Sequence, residues 1–271
     1  MNNRKESAEK SIIALLTDFG SKDWFVASMK GVIKGIAPHV DIVDITHHID
    51  PHHVESASFI LASCYRDFPE GTVFCCVVDP GVGTSRKRLA SFDGARYFIA
   101  PDNGLLTYVA LRSEALSCRF IENPAFRNQG HGATFEGRDV FAPAAAYLAS
   151  GVDMEKFGPP CRDMARLDLF ENAGVKNGVL EGRIVYVDHF GNLITNLTPR
   201  DLEKDWDECR AVIDIKGGKI HGVSKGYGDV ESGALLAYWG STGCLEIAVN
   251  QGSAAGTLGI RIGENFFITC G

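Results

Sequence analysis

The chain has 271 residues, 27 Lys+Arg against 34 Asp+Glu for a formal net charge of −7, and 45% hydrophobic with 23% charged residues. This is globular composition, and it excludes a disordered or fibrous chain. The acidic balance and the lack of any Lys/Arg run argue against nucleic acid as the main partner.

In chain order, the polar segment MNNRKESAEKS holds no apolar stretch, which predicts no secretory signal. Residues 12–16 (IIALL) form a predicted buried strand, and 24–36 carry helical apolar spacing that Pro38 closes. A short strand follows at 42–45, and Pro51 suits the first turn of a helix running to about Phe68. Strands are predicted at 73–78 (VFCCVV) and 97–100, and a helix at 143–150 (PAAAYLAS). Strand and helix in alternation predict a mostly parallel α/β sheet. Beyond the Gly-Pro-Pro at 158–160 the texture changes: 17 of 30 glycines lie from Asn172 onward, whereas nine of ten prolines precede Cys161. Short β-rich segments at 182–187, 211–215, 234–239, 245–249 and 266–269 predict a small antiparallel sheet or barrel. The expected division is residues 1–170 (α/β) and 171–271 (β).

No apolar run approaches the roughly 18 residues of a membrane span. The eight cysteines show no CxxC spacing, which predicts reduced, buried thiols and a cytoplasmic location.

Ligands of parallel α/β sheets bind beyond the carboxyl ends of the strands. Asp18 (LLTDFG), Asp79 (VVDPGVG) and Asp102 (APDNG) each follow a predicted strand. Each is open to two roles, helix or turn capping, or membership of a site. The run GVGTSR at 81–86 lacks the Gly-Lys-Ser/Thr of a phosphate loop and the third glycine of a dinucleotide fingerprint. It leaves Arg86 seven residues after Asp79, open to two roles, a carboxylate–guanidinium pair within a site or an ordinary surface ion pair. His47, His48, His52 and His53 bracket Asp50 but match no zinc spacing, so no metal is expected. DHFGN at 188–192 has the composition of a tight hairpin turn. The small-residue run NQGSAA at 250–255 would let backbone approach a flat ligand.

Seven segments, in order, carry a resemblance over nearly the whole chain: LLTDFGSKDWFVASMKGVI, DITHHIDPHHVESA, VVDPGVGTSR, APDNGLL, TFEGRDVFAPAAA, VDHFGNLITN and LEIAVNQGSAAGTLG. Together they resemble the S-adenosyl-L-methionine (SAM) hydrolase family, also called SAM hydroxide adenosyltransferases, relatives of the fluorinases and chlorinases. The resemblance implies an α/β/α sandwich followed by an antiparallel β-barrel, assembled as a homotrimer with active sites at subunit interfaces. It implies attack of water on the ribose 5′-carbon of SAM, giving adenosine and L-methionine, with SAM as substrate and no cofactor.

By the same resemblance Asp79 and Arg86 belong to a water-activating set of Asp, Arg and His, and their presence favours water over halide. The family motif Thr-Phe-His-Gly-Arg-Asp reads Thr134-Phe135-Glu136-Gly137-Arg138-Asp139 here. Three readings of Glu136 stand: it accepts the proton, His131 reaches in instead, or the site binds SAM without turnover. The retention of Asp79 and Arg86 favours the first. Asp18 matches the ribose-diol acceptor, and Asp23 and Asp188 match positions holding the methionine end. Asn192 matches an adenine contact, and Ser253 and Ala254 match the segment reading the adenine edge. Tyr227 is a candidate adenine-stacking ring.

Overall fold

The computed structural model describes residues 11–128, 134–167, 174–176, 179–202, 208 and 210–270. The chain divides into two compact units, Met1–Leu167 and Asp168–Gly271.

The first unit is built on a seven-stranded sheet. Its strands are β1 (Ile12–Thr17), β2 (Asp41–Thr46), β3 (Val73–Val77), β4 (Arg88–Phe92), β5 (Tyr97–Pro101), β6 (Ser117–Phe120) and β7 (Pro160–Cys161), in the order β2-β1-β3-β5-β4-β6-β7. The first four in that order run parallel, and β4, β6 and β7 close the sheet antiparallel. Strand alternation sends successive side chains to opposite faces. Thus Ile13, Leu15, Val73, Cys75 and Val77 pack against α1 (Phe25–Ile36) and α4 (Ala142–Ala149). Ala14, Leu16, Phe74 and Cys76 pack against α2 (Val54–Cys64) and α3 (Thr107–Arg112). A strand covered on both faces has no place for a polar residue, which is why β3 reads as an unbroken apolar run. Burial pushes the Cys75 thiol up to about 12, so it behaves as a small apolar side chain.

Two local expectations are revised. Pro51 does not open α2: His53 is the N-cap, its ring Nδ1 accepting from the Ser56 N–H at 3.2 Å. His52 has φ +70°, a left-handed conformation that no helix interior accepts. The strands β4 and β6 and helix α3, unmarked in the sequence, complete the sheet's far half.

The second unit is an almost closed antiparallel barrel. Its strands are β8 (Gly174–Lys176), β9 (Val179–Val187), β10 (Leu193–Thr195), β11 (Ala211–Ile215), β12 (Gly218–His221), β13 (Leu235–Trp239), β14 (Leu245–Val249) and β15 (Asn265–Cys270). The order is β12-β11-β15-β9-β10-β14-β13, with β8 on β9. Inward-facing Ile184, Leu193, Ile213, Ile247, Phe266 and Ile268 fill it, and α5 (Ala254–Leu258) adds Ala254 to that core. Among the described residues no helix is long and apolar enough to cross a membrane.

Candidate active site

The parallel strands fix where a ligand binds. From β1 the chain passes to β2 on one side and then to β3 on the other, so a crevice opens between the carboxyl ends of β1 and β3. Asp18 follows β1, and Asp79 lies two residues beyond β3. Both line one cavity of about 320 Å³, together with Phe19, Phe25, His52, Phe135 and Glu136.

The loop after β3 is folded so that Arg86 returns to Asp79. Asn103 Nδ2 holds the Val78 carbonyl at 2.9 Å, Gly81 N–H donates to Asp79 Oδ1 at 3.2 Å, and Thr84 Oγ1 donates to the Gly81 carbonyl at 2.7 Å. Arg86 then forks onto the Asp79 carboxylate, Nε to Oδ1 at 3.0 Å and Nη2 to Oδ2. The same Nη2 donates to Glu136 Oε2 at 2.6 Å. Both carboxylates and Arg86 are nearly inaccessible, with side-chain exposures of 4%, 8% and 8% for Asp79, Glu136 and Arg86.

Glu136 stands at the start of a π-helical turn, Gly137–Phe141, that leads into α4. Such turns widen the helix and often mark functional positions. This one packs tightly: a Cβ on Gly137 would sit 3.1 Å from the Phe19 ring and 3.2 Å from Met29 Sδ. A second guanidinium also reaches Glu136. Arg88, the first residue of β4, donates from Nε to Oε2 at 3.0 Å and from Nη2 to Oε1.

The two carboxylates therefore differ in character. Burial is the strongest influence on Asp79 and raises its pKa; the charge and hydrogen bonds of Arg86 offset this only in part, and Glu136 nearby adds to the rise. Burial also opposes ionisation of Glu136, but hydrogen bonds from Arg88 and Arg86, with their charge, outweigh it and hold the pKa below the usual glutamate range. A carboxylate held ionised by two guanidiniums is a weak proton acceptor. Two guanidiniums thus engage Glu136, whereas Asp79 is forked by Arg86 alone. His131, the other candidate, lies outside the described residues.

Around the carboxylates stands an aromatic wall that sequence reasoning passed over. Phe25 and Phe135 meet edge to face at 5.1 Å, Phe19 lies 5.7 Å from Phe25, and Trp24 lies 5.1 Å from Phe25. Phe19, Trp24 and Phe135 each adjoin a polar residue, in the segments DFG, DWF and TFE, and Phe25 follows Trp24 directly, a signal available before folding. Asp18 Oδ2 accepts from the His52 N–H at 2.9 Å, which ties the strained His52 backbone to the site.

The remaining candidates in this unit lie elsewhere. Asp23 is exposed ahead of α1 and does not line the cavity. Asp102 accepts from the Ala165 N–H at 2.7 Å and is likewise outside it. Of the histidines, His47 is buried with Nδ1 2.8 Å from Thr17 Oγ1, and His53 caps α2. Among the described residues no three His, Cys, Asp or Glu side chains gather as metal ligands.

In the second unit Asn192 and Tyr227 line a cavity of about 490 Å³ with Phe190, Val249, Gln251 and Gly252. Asp188 is engaged by its own turn: it accepts from the N–H groups of Phe190 and Asn192 at 2.9 and 2.8 Å and from Asn192 Nδ2 at 2.8 Å. Ser253 caps α5, with Oγ accepting from the Gly256 N–H at 3.0 Å, and Ala254 is buried in the core. Tyr227 Oη lies 3.1 Å from Tyr238 Oη, and Tyr238 donates to Glu246 at 2.6 Å. Gly191, at φ +83°, is required here, because a Cβ would lie 2.0 Å from Ser253 Oγ. Gly191→Ala is expected to cost about 2 kcal/mol, a fall of roughly 4–8 °C in Tm by calorimetry. An unchanged Tm would show that the turn has room the structure denies it.

Comparison with known proteins places these features. A family model described as the SAM hydroxide adenosyltransferase N-terminal domain matches residues 13–158, and one for the C-terminal domain matches 182–266. A protein of Thermus thermophilus named (R)-S-adenosyl-L-methionine hydrolase is 38% identical over 260 residues, covering 93% of this chain and 96% of its own. A Nocardia brasiliensis protein named fluorinase is 31% identical over 296 residues, covering 98% and 99%. The crystal structure of an uncharacterized conserved protein from Thermotoga maritima superimposes with a TM-score of 0.87 at 40% identity, over 95% of this chain and 99% of that one.

Proposed function

Since the chain belongs to the SAM hydroxide adenosyltransferase family, we propose that it hydrolyses S-adenosyl-L-methionine to adenosine and L-methionine. The observation that carries this reading is that Asp18 and Asp79 line one cavity at the β1–β3 crevice, with Arg86 forked onto the Asp79 carboxylate.

The leaving group is a sulfonium, which departs as a neutral thioether and needs no acid. The demand falls on the nucleophile, which has to sit in line with the carbon–sulfur bond about 3–3.5 Å from C5′. A bond forms between water oxygen and C5′, the C5′–S bond breaks with its electron pair on sulfur, and a water proton passes to Asp79. Arg86 stabilises the developing hydroxide electrostatically. Asp18 accepts hydrogen bonds from the ribose hydroxyls. The Phe19, Phe25 and Phe135 rings exclude bulk water and offer π faces to the cationic sulfonium.

Asp188, Asn192, Tyr227, Ser253 and Ala254 are assigned to the methionine and adenine ends, with Asp188 and Ser253 acting mainly by shaping the backbone there. Asp23 is assigned to the methionine end. A homotrimer, a cytoplasmic location and independence from metal and cofactor belong to the same reading; sedimentation velocity tests the first.

The purified protein is to be incubated with each sulfonium epimer of SAM, with and without chloride, and adenosine resolved from 5′-chloroadenosine. Adenosine and methionine in equal amounts, unaffected by chelator, are expected. Chloroadenosine as the main product would replace water by halide, and bound nucleoside without turnover would make the protein a binder.

A further inference from the structure

Arg86 lies in the loop two residues before Arg88, the first residue of β4. Both guanidiniums meet Glu136, although it lies about fifty positions further along the chain. The result is a linear array, Asp79–Arg86–Glu136–Arg88, with alternating charges that sum to zero. Without Arg88 the same array would carry two carboxylates on one guanidinium, in a place where Asp79 and Glu136 are almost wholly out of water. Uncompensated charge there is costly.

Among the described residues no other side chain is hydrogen-bonded to Glu136. Arg127 is close enough to be repelled by Arg88 and attracted by Glu136, but its own Nη2 is spent on the Ile121 carbonyl. Lys87 and Glu122 pair with each other at the exposed surface, at 2.8 Å. Arg88 itself does not line the cavity; its hydrogen bonds go to Glu136, and its charge is also felt by Asp79.

We infer that Arg88 is a positioning residue for the reaction: by forking onto both oxygens of Glu136 it keeps that carboxylate an ionised anchor for Arg86, and so holds Arg86 on Asp79. Fork-to-carboxylate geometry fixes orientation as well as charge, which a lysine ammonium cannot do. The inference rests on the hydrolase reading for its kinetic consequence and on the geometry alone for its electrostatic one.

Two measurements on the full-length protein separate these. Carboxyl ¹³C NMR of glutamate-labelled protein identifies Glu136 as the signal lost in Glu136→Gln. In Arg88→Met the titration of Glu136 is expected to move up by about one pH unit or more, with Arg88→Lys intermediate. In steady-state kinetics, Arg88→Met is expected to lower kcat about 10- to 100-fold while leaving KM within about twofold. The acid limb of its kcat profile moves to higher pH, because a protonated Glu136 releases Arg86. Adding Glu136→Gln to Arg88→Met should abolish that displaced limb, a coupling that a merely structural defect would not produce.

A Glu136 titration unmoved in folded Arg88→Met or Arg88→Lys overturns the inference. So does an unaltered kcat profile in a variant whose Glu136 has shifted. Absence of adenosine from the wild type would instead sink the hydrolase reading, and the NMR titration would still decide the clamp.

Discussion

Arg86→Ala is expected to abolish measurable turnover, lowering kcat by at least about a thousandfold, and to destabilise the first unit by about 3 kcal/mol. The two effects share one cause. Arg86 bridges Asp79 and Glu136, both nearly buried. Its removal leaves Asp79 without its guanidinium partner and a second negative charge close by. The pH dependence of the loss has a definite sign. In the wild type Glu136 has a lowered pKa, so it contributes stability above the ordinary glutamate range and loses it as pH falls through the folded value. Asp79 has a raised pKa, so its ionisation costs stability as pH rises through its folded value. Without Arg86 both carboxyls rise, and the deficit is largest at neutral pH and shrinks toward pH 5. Chemical denaturation of variant and wild type across that range measures this. A deficit that grew on acidification would contradict the arrangement. Arg86→Lys, which keeps the charge but not the fork, should recover stability better than activity.

Asp79→Asn removes the proposed proton acceptor at constant shape and is expected to lower kcat about 10²- to 10⁴-fold. Asp79 must be ionised to take the proton. Wild-type kcat/KM should therefore fall on the acid side as pH drops through a pKa above the ordinary aspartate range, the direction that burial imposes. In Asp79→Asn that limb should vanish, leaving a low and flat profile. Glu136→Gln should keep the limb, because Glu136 is an anchor in this account. Retention of the acid limb in Asp79→Asn together with its loss in Glu136→Gln would exchange the two roles.

How far the sequence discloses these features depends on the distance over which each is determined. The strand β3 is legible because burial on both faces forces a continuous apolar run, and α1 because one stripe faces the sheet. The strands β4 (RLASF) and β6 (SCRF) are not, since antiparallel strands at the far side of the sheet mix polar and apolar residues over four or five positions. Helix α3 is only six residues long, too short for periodicity to show. Among site residues, Asp18 and Asp79 are legible from one local rule, an acidic residue just beyond a buried strand. That rule also picks out Asp102, whose carboxylate is taken by the Ala165 N–H and whose strand lies beyond the β1–β3 switch point. Arg88 belongs to no motif. Its meaning comes from contact with a residue 48 positions away, and only the folded sheet brings the two together. The two guanidinium partners of Glu136 are hidden for the same reason, since neither Arg86 nor Arg88 lies near the segment TFEGRD in the chain.

In the proposed reaction water oxygen attacks the ribose 5′-carbon of SAM. It is tested most directly by turnover in ¹⁸O-enriched water, with the adenosine product analysed by mass spectrometry. One ¹⁸O atom is expected in the 5′-hydroxyl of each adenosine and none in the methionine formed within the same turnover. Adenosine without label, or cleavage releasing adenine or methylthioadenosine instead, would contradict it.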